Sequence, residues 1–141
     1  MTLGYLVRFM RADHLKRVEE SYARCIESPG FLDTFYQHLL ESSPAIPPMF
    51  SQTDFERQHK LLQHSLGVLL IYAKRQNPAL LERIAERHNR DNVNVEPDLY
   101  PFFLESLVKA VEEHDPEFDS EAGEAWRTAL TPGIEFMKAR Y

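Results

Sequence analysis

One histidine near the end of a predicted helix has the surroundings that a metal ligand needs. Leu81, Ile84 and His88 are spaced i, i+3, i+7 and share one helix face. At such a position the imidazole Nε2 can point out of the apolar surface while Nδ1 donates to a carbonyl one turn back. A solitary histidine at a helix end more often interacts with the helix dipole, so the spacing alone leaves both interpretations open.

Two polar side chains interrupt apolar helix faces and could act on a small ligand. Gln58 and Leu62 lie one turn apart on another predicted helix, and Ser65 and Leu66 extend that stripe. Tyr36 lies on the apolar face of an earlier helix, where a buried hydroxyl needs a partner. A hydrogen-bond donor in an otherwise apolar line, with leucine excluding water, is typical of a site for a small polar gas.

Helical periodicity dominates the chain, and nine prolines divide it. The AIPPMF segment, residues 45–50, can form only a tight turn or a short 3₁₀ helix. Pro132 is expected to kink the last helix. The predicted helices run from near Asp13 to Pro29, through Leu32–Leu40 to before Pro44, from a cap at Thr53 or Asp54 to about Arg75, from Ala79 to about His88, from Pro97 through Val111, and from Asp119 or Ser120 to the C-terminus.

No strand alternation or internal repeat is visible, so the expected fold is all-α with six to eight helices of unequal length. We expect one domain over residues 1–141, with residues 1–11 as a short N-terminal extension or pre-helix. The Pro-rich turn in the middle is hard to fit into a simple four-helix bundle.

In this order the segments resemble the globin family over nearly the whole chain. FYQHLLESSPAIPPMF resembles the bacterial globin pattern of Phe-Tyr, an apolar pair, Pro, and a Phe that closes a corner and stacks on haem, here Phe50. TDFERQHKLL is similar to the start of the distal helix, with Gln58 at the gating position and Leu62 one turn on. ERIAERHNRDNVNVEPDLY resembles the proximal segment, and EAWRTALTPGIEFMKARY resembles the last helix, with Trp126 near its start.

The resemblance implies a globin fold that sandwiches one haem b, iron protoporphyrin IX, between helices. His88 is the implied axial ligand of the iron. Tyr36, Gln58 and Leu62 are the implied neighbours of the bound gas. The implied haem contacts are Phe50, Leu62, Ile84, His88, Val93, Val95 and Tyr100. The function implied is reversible binding of O₂, and also of CO and NO, at a five-coordinate ferrous iron, as in oxygen transport or storage.

Two other functions would use the same pocket. The first is NO dioxygenation, which would need a separate reductase because the chain has no G-x-G-x-x-G run and no flavin domain. The second is gas or redox sensing through a partner protein or a homodimer, formed by the N-terminal arm and the last two helices.

Several residues compete for roles at this pocket. A slip of one residue would replace Gln58 by His59, and either His59 or His64 could make the iron six-coordinate. The remaining histidines, His14, His38 and His114, are expected at the surface. Three basic residues could meet the haem propionates, although a solvated charge is the commoner role for each: Arg57, Lys60 and Arg87.

Composition excludes several other classes. The formal net charge of -6 argues against a nucleic-acid partner, which needs a concentrated basic surface. No apolar run approaches the roughly 20 residues of a membrane span. Cys25 is the only cysteine, so no intramolecular disulfide can form and a cytoplasmic location is expected. We expect Cys25 to be a small core residue and not a redox switch.

Overall fold

The computed structural model describes the backbone of residues 3–141 and the side chains of residues 13–141. Over that range the chain forms six α-helices and two 3₁₀ helices and contains no strand, which confirms the predicted all-α class. The elements are α1 (Leu3–Glu27), α2 (Phe31–Ser42), a 3₁₀ helix (Pro47–Phe50), α3 (Phe55–Arg75), α4 (Ala79–His88), a second 3₁₀ helix (Pro97–Leu99), α5 (Tyr100–His114) and α6 (Ser120–Ala139). None of the described helices is long and apolar enough to cross a bilayer.

The first helix begins earlier than its apolar spacing predicted. α1 starts at Leu3 and not near Asp13, because residues 5–28 contain neither proline nor glycine to end it. The predicted N-terminal extension, residues 1–11, is therefore helical from Leu3 onward, while residues 1 and 2 lie outside the described range. α1 ends before Gly30, whose positive φ of 84° turns the chain into α2.

Aspartates cap the two helices whose starts the sequence left open. The Asp54 side chain accepts from the backbone N–H of Glu56 and Arg57, so Asp54 and not Thr53 is the cap of α3. Asp119 caps α6 by accepting from the N–H of Ala122. Both caps occupy backbone donors that would otherwise be unsatisfied in the first turn.

α6 is the helix around which the others pack. It contacts α1, α3, α4 and α5, and α2 packs on α5. Its crossing with α3 is close at Gly133, where an added Cβ would collide with Leu69 Cδ2. The side chains of Trp126 and Leu130 on α6 and Leu107 on α5 are fully buried in the core between these helices.

A buried polar group joins α1 to the last two helices. Asp115, whose side chain is fully buried, accepts from Arg24 Nε at 2.7 Å and from the Ser21 hydroxyl at 2.6 Å. The Trp126 indole N–H donates to Ser21 Oγ at 3.0 Å. We call these four residues the Asp115 cluster; they satisfy one another's polar atoms inside an otherwise apolar core.

Candidate functional site

A cavity of about 400 Å³ lies among α2, α3, α4, α5, α6 and the first 3₁₀ helix. Its size falls in the range of about 300–1,000 Å³ that is usual for small-molecule and cofactor sites. The residues that the resemblance to globins assigned to haem or gas all line this one cavity: Tyr36, Phe50, Gln58, Leu62, Ile84, His88, Val93, Val95 and Tyr100.

His88 is the last residue of α4, and a hydrogen bond fixes the tautomer of its ring. Its Nδ1 lies 2.7 Å from the carbonyl oxygen of Ile84, and because a carbonyl can only accept, Nδ1 carries the hydrogen. In the neutral ring Nε2 then keeps its lone pair, and in the described part of the chain no group donates to it. Burial lowers the pKa of His88, outweighing the bond to Ile84 that raises it, so the neutral, ligating form is favoured.

The loop after His88 folds back onto the end of α4. The Val95 N–H donates to the His88 carbonyl at 2.9 Å, and the Val93 N–H donates to the Arg87 carbonyl at 3.0 Å. These bonds use carbonyls that the end of a helix leaves unsatisfied. They also bring both valines to the cavity wall, although the Val93 side chain stays exposed on its other side.

Tyr36 enters the cavity from α2 as a neutral hydrogen-bond donor. Its side chain is buried, and burial raises its pKa to about 12, so the phenol keeps its proton at neutral pH. The hydroxyl donates to the Gln58 backbone carbonyl at 3.5 Å, the long limit of a hydrogen bond. The hydroxyl can therefore exchange its weak bond to Gln58 for a bond to a stronger acceptor in the cavity, at little cost in free energy.

The α3 register brings Gln58, and not His59, to the cavity wall. Gln58, Leu61, Leu62 and Ser65 line the cavity from α3. His59 lies outside it, with Nε2 3.4 Å from Asp33 Oδ1. His64 is exposed and is likewise not among the lining residues.

Only one of the residues predicted to meet the haem propionates lies at the cavity. Of the three candidates for the propionates, Arg87 lines the cavity, whereas Arg57 and Lys60 are exposed and do not.

Cys25 is fully buried, as expected of a core residue. Of the three histidines expected at the surface, His14 is exposed, but His38 and His114 are half-buried, so the prediction is wrong for these two. The hydroxyls of Ser28 and Thr34 each lie 2.8 Å from one nitrogen of the His114 ring. Because α1, α2 and α5 meet there, helix periodicity within α5 alone could not show it.

Sequence reasoning missed much of the apolar wall. Leu99, at the end of the second 3₁₀ helix, and Phe103 on α5 reach it from i, i+4 positions, and Ile134 and Met137 reach it from i, i+3 positions on α6. Their spacing indicates a buried face but not which buried face meets a ligand. The further lining residues not predicted for the site are Phe35, Leu39, Ile46, Met49, Thr53, Leu61 and Leu69.

The residues present fit a haem group. A flat apolar cofactor needs apolar walls, and those of this cavity are mostly aliphatic and aromatic. Iron needs a neutral imidazole, and His88 supplies one with its tautomer set by Ile84. Arg87 at the same cavity provides a cation for a carboxylate edge.

Comparisons with known proteins agree on one family. The globin family model matches residues 33–135. A protein from Pseudomonas aeruginosa PAO1, whose crystal structure is described as structurally highly homologous to a human haemoglobin, superposes with a TM-score of 0.88 and is 38% identical. The alignment covers 91% of this chain and 98% of the Pseudomonas chain. No curated protein matches the chain.

Proposed function

This chain belongs to the globin family, and from that premise we propose that it holds haem b through His88 and binds O₂ reversibly beside Tyr36 and Gln58. The observation that carries the proposal is a mostly apolar cavity whose wall includes the imidazole of His88 and, among its hydrogen-bond donors, Tyr36 and Gln58. CO and NO, as diatomic gases of similar size, are expected to enter the same cavity.

On the α4 side the chain holds and orients the cofactor. When bound, haem would supply an iron atom that can take a diatomic gas as a ligand. His88 Nε2 would hold the iron, and the Nδ1–H bond to Ile84 prevents the ring from rotating away. Phe50, Val95 and Tyr100 would pack on the porphyrin ring from the cavity wall.

On the α2 and α3 side the chain selects the ligand. Tyr36 Oη and the Gln58 amide can each donate a hydrogen bond, and Leu62 beside them is apolar and excludes water. Hydrogen bonds stabilise a polar ligand more than an apolar one. We therefore expect this pair of donors to favour O₂ over CO and to slow the release of O₂.

One set of absorption spectra tests the cofactor part of the proposal. We expect a Soret band in the purified or haem-loaded protein and a five-coordinate ferrous spectrum. His88→Gly is expected to lose the axial ligand and to regain it with added imidazole, whereas His64→Gly, at an exposed position, should match the wild type. Absence of a Soret band after haem addition, or a bis-histidine spectrum, would contradict the proposal.

The distal part is tested by Tyr36→Phe. Removing this hydroxyl deletes one hydrogen bond of about 1–3 kcal/mol, so O₂ dissociation should accelerate by roughly tenfold or more. Stopped-flow displacement of O₂ by CO measures the rate. Tyr22→Phe is the matched control, because that hydroxyl donates to the Gln63 carbonyl outside the cavity. An unchanged rate in Tyr36→Phe removes Tyr36 from the mechanism.

A further inference from the structure

We propose that His59 is a positioning residue for Tyr36, acting from outside the cavity and making ligand retention depend on pH. The inference rests on the proposed role of Tyr36 as a donor to the bound gas. It differs from a role for His59 inside the pocket, because His59 does not line the cavity.

The His59 ring covers one face of the Tyr36 ring. Their centroids are 5.5 Å apart and their planes differ by 13°, which is a stacked arrangement. The other rings near Tyr36, those of Phe35, Phe50 and Phe55, meet it edge-on at 5.0–5.8 Å. Among these four neighbours in the described part of the chain, only His59 can change its charge.

His59 also ties α3 to α2 through a carboxylate. Its Nε2 lies 3.4 Å from Asp33 Oδ1, and Asp33 is three residues before Tyr36 on the same helix. Tyr36 in turn reaches back to α3, because its hydroxyl donates to the carbonyl of Gln58, the residue before His59. The two helices are thus joined on both sides of the Tyr36 ring, once at Oη and once at its face.

The ionisable groups around His59 are few. From α2 it faces Asp33 and Tyr36, and on α3 its nearest charged neighbours in sequence are Lys60, Arg57 and Glu56. α1 reaches the next turn of α3 through the hydroxyl of Tyr22. Burial raises the pKa of Tyr22 to about 12, so this phenol stays neutral. The carboxylate of Asp33 is therefore the closest opposite charge for a protonated His59.

Protonation of His59 strengthens both of its contacts. An imidazolium gains a Coulomb attraction to Asp33 that the neutral ring lacks. A cation over the face of a phenol ring is also attracted to it, and it withdraws electron density from the ring, which makes the hydroxyl a better donor. Both effects favour the Tyr36 hydrogen bond to a ligand, so O₂ release should slow as pH falls from 8 to 5, the range in which histidines change charge.

The test measures O₂ dissociation from the haem-loaded protein between pH 5 and 8 in matched variants. Wild type should release O₂ about two- to fivefold more slowly at pH 5 than at pH 8, the size expected of a partly exposed ion pair. His59→Phe keeps a ring over Tyr36 and should abolish the dependence, and Asp33→Asn should reduce it. His38→Phe is the control, because His38 also pairs with a carboxylate, Glu113 at 3.1 Å, but does not stack on Tyr36.

A second measurement reports on the Tyr36 ring without any ligand kinetics. In the CO-bound, diamagnetic protein, the Tyr36 ring protons should shift with pH together with those of His59 in NMR spectra. That shared titration should vanish in His59→Phe. Independent titration of the two rings would overturn the inference.

The outcomes separate this inference from the proposed function. If Tyr36→Phe leaves O₂ dissociation unchanged at every pH, the role of Tyr36 itself fails. If Tyr36→Phe accelerates release but His59→Phe keeps the wild-type pH dependence, only the role of His59 fails. A pH dependence that persists in Tyr36→Phe would show that it does not act through the Tyr36 hydroxyl, which also overturns the positioning role.

Discussion

At the level of single residues, the cavity combines one ligating nitrogen with donors of two kinds. His88 has its tautomer set by a backbone carbonyl, so mutation of a neighbouring side chain would not remove that partner. Tyr36 is rigid, because its ring packs among four other rings. Gln58 is only partly buried, so its amide is the more adaptable donor.

Gln58→Leu tests that second donor. The substitution replaces the amide with a slightly shorter apolar side chain. A lost hydrogen bond of about 0.5–1.5 kcal/mol corresponds to O₂ release faster by roughly two- to tenfold. CO release should change less, because CO is the weaker acceptor. Dissociation rates of both gases measure this. Gln63→Leu is the control, because Gln63 lies five residues further along α3 at an exposed position. Equal changes for O₂ and CO would argue that Gln58 acts only by shape.

At the level of helices, the cavity depends on how closely α3 and α6 approach each other. Leu69 on α3 and Ile134 on α6 both line it, and Gly133 lets the two helices touch at that point. A glycine inside a helix costs about 1 kcal/mol relative to alanine, so its presence indicates that close packing is worth more than helix propensity here.

Gly133→Ala is expected to destabilise the protein although it improves helix propensity. The new Cβ collides with Leu69 Cδ2, and an overpacked core contact of this kind costs about 1–3 kcal/mol. Urea unfolding followed by circular dichroism measures the change. Gly67→Ala on α3 is the matched control: nothing lies within 4 Å of its added Cβ, so a gain of about 0.5–1 kcal/mol is expected. Equal effects of the two substitutions would refute the close crossing.

Much of this helix arrangement could be predicted from sequence. Pro29-Gly30, Pro44 and Pro97 mark breaks that the structure confirms, and the i, i+3, i+7 spacing placed Ile84 and His88 on one face. The choice of Asp54 over Thr53 could not be predicted, since both side chains can cap a helix. The stacking of His59 on Tyr36 was equally out of reach, because it depends on how α2 and α3 cross and not on either helix alone.

At the level of the whole molecule, the Asp115 cluster holds α1 onto the rest of the fold. Burial alone would raise the pKa of Asp115, but hydrogen bonds from Arg24 and Ser21 outweigh it and the pKa is lowered. A carboxyl whose pKa is lower in the folded state stabilises that state above its ordinary pKa of 3.8. This stabilisation is lost as the pH falls through the lower, folded-state pKa.

Asp115→Asn should therefore cost most at neutral pH and least in acid. We expect a loss of about 2–3 kcal/mol at pH 7, below the value for fully buried pairs because the Arg24 side chain is 28% exposed. The difference from wild type should shrink toward pH 3, as measured by urea unfolding at each pH. Glu105→Gln is the control, because its bidentate pair with Arg127 is exposed and worth less than about 1 kcal/mol. A pH-independent difference for Asp115→Asn would contradict the linkage.

Trp126 gives the protein a built-in optical reporter. It is the only tryptophan, it is fully buried, and α1 covers it through Ser21 and through Tyr22, whose ring meets the indole edge-on at 6.1 Å. Fluorescence from an enclosed indole lies at shorter wavelength than from a hydrated one, so any opening of α1 should move the emission to the red. Haem in the same small domain would quench that emission by energy transfer. Wavelength then follows the closure of α1 and intensity follows cofactor loading, both from one native chromophore and without a label.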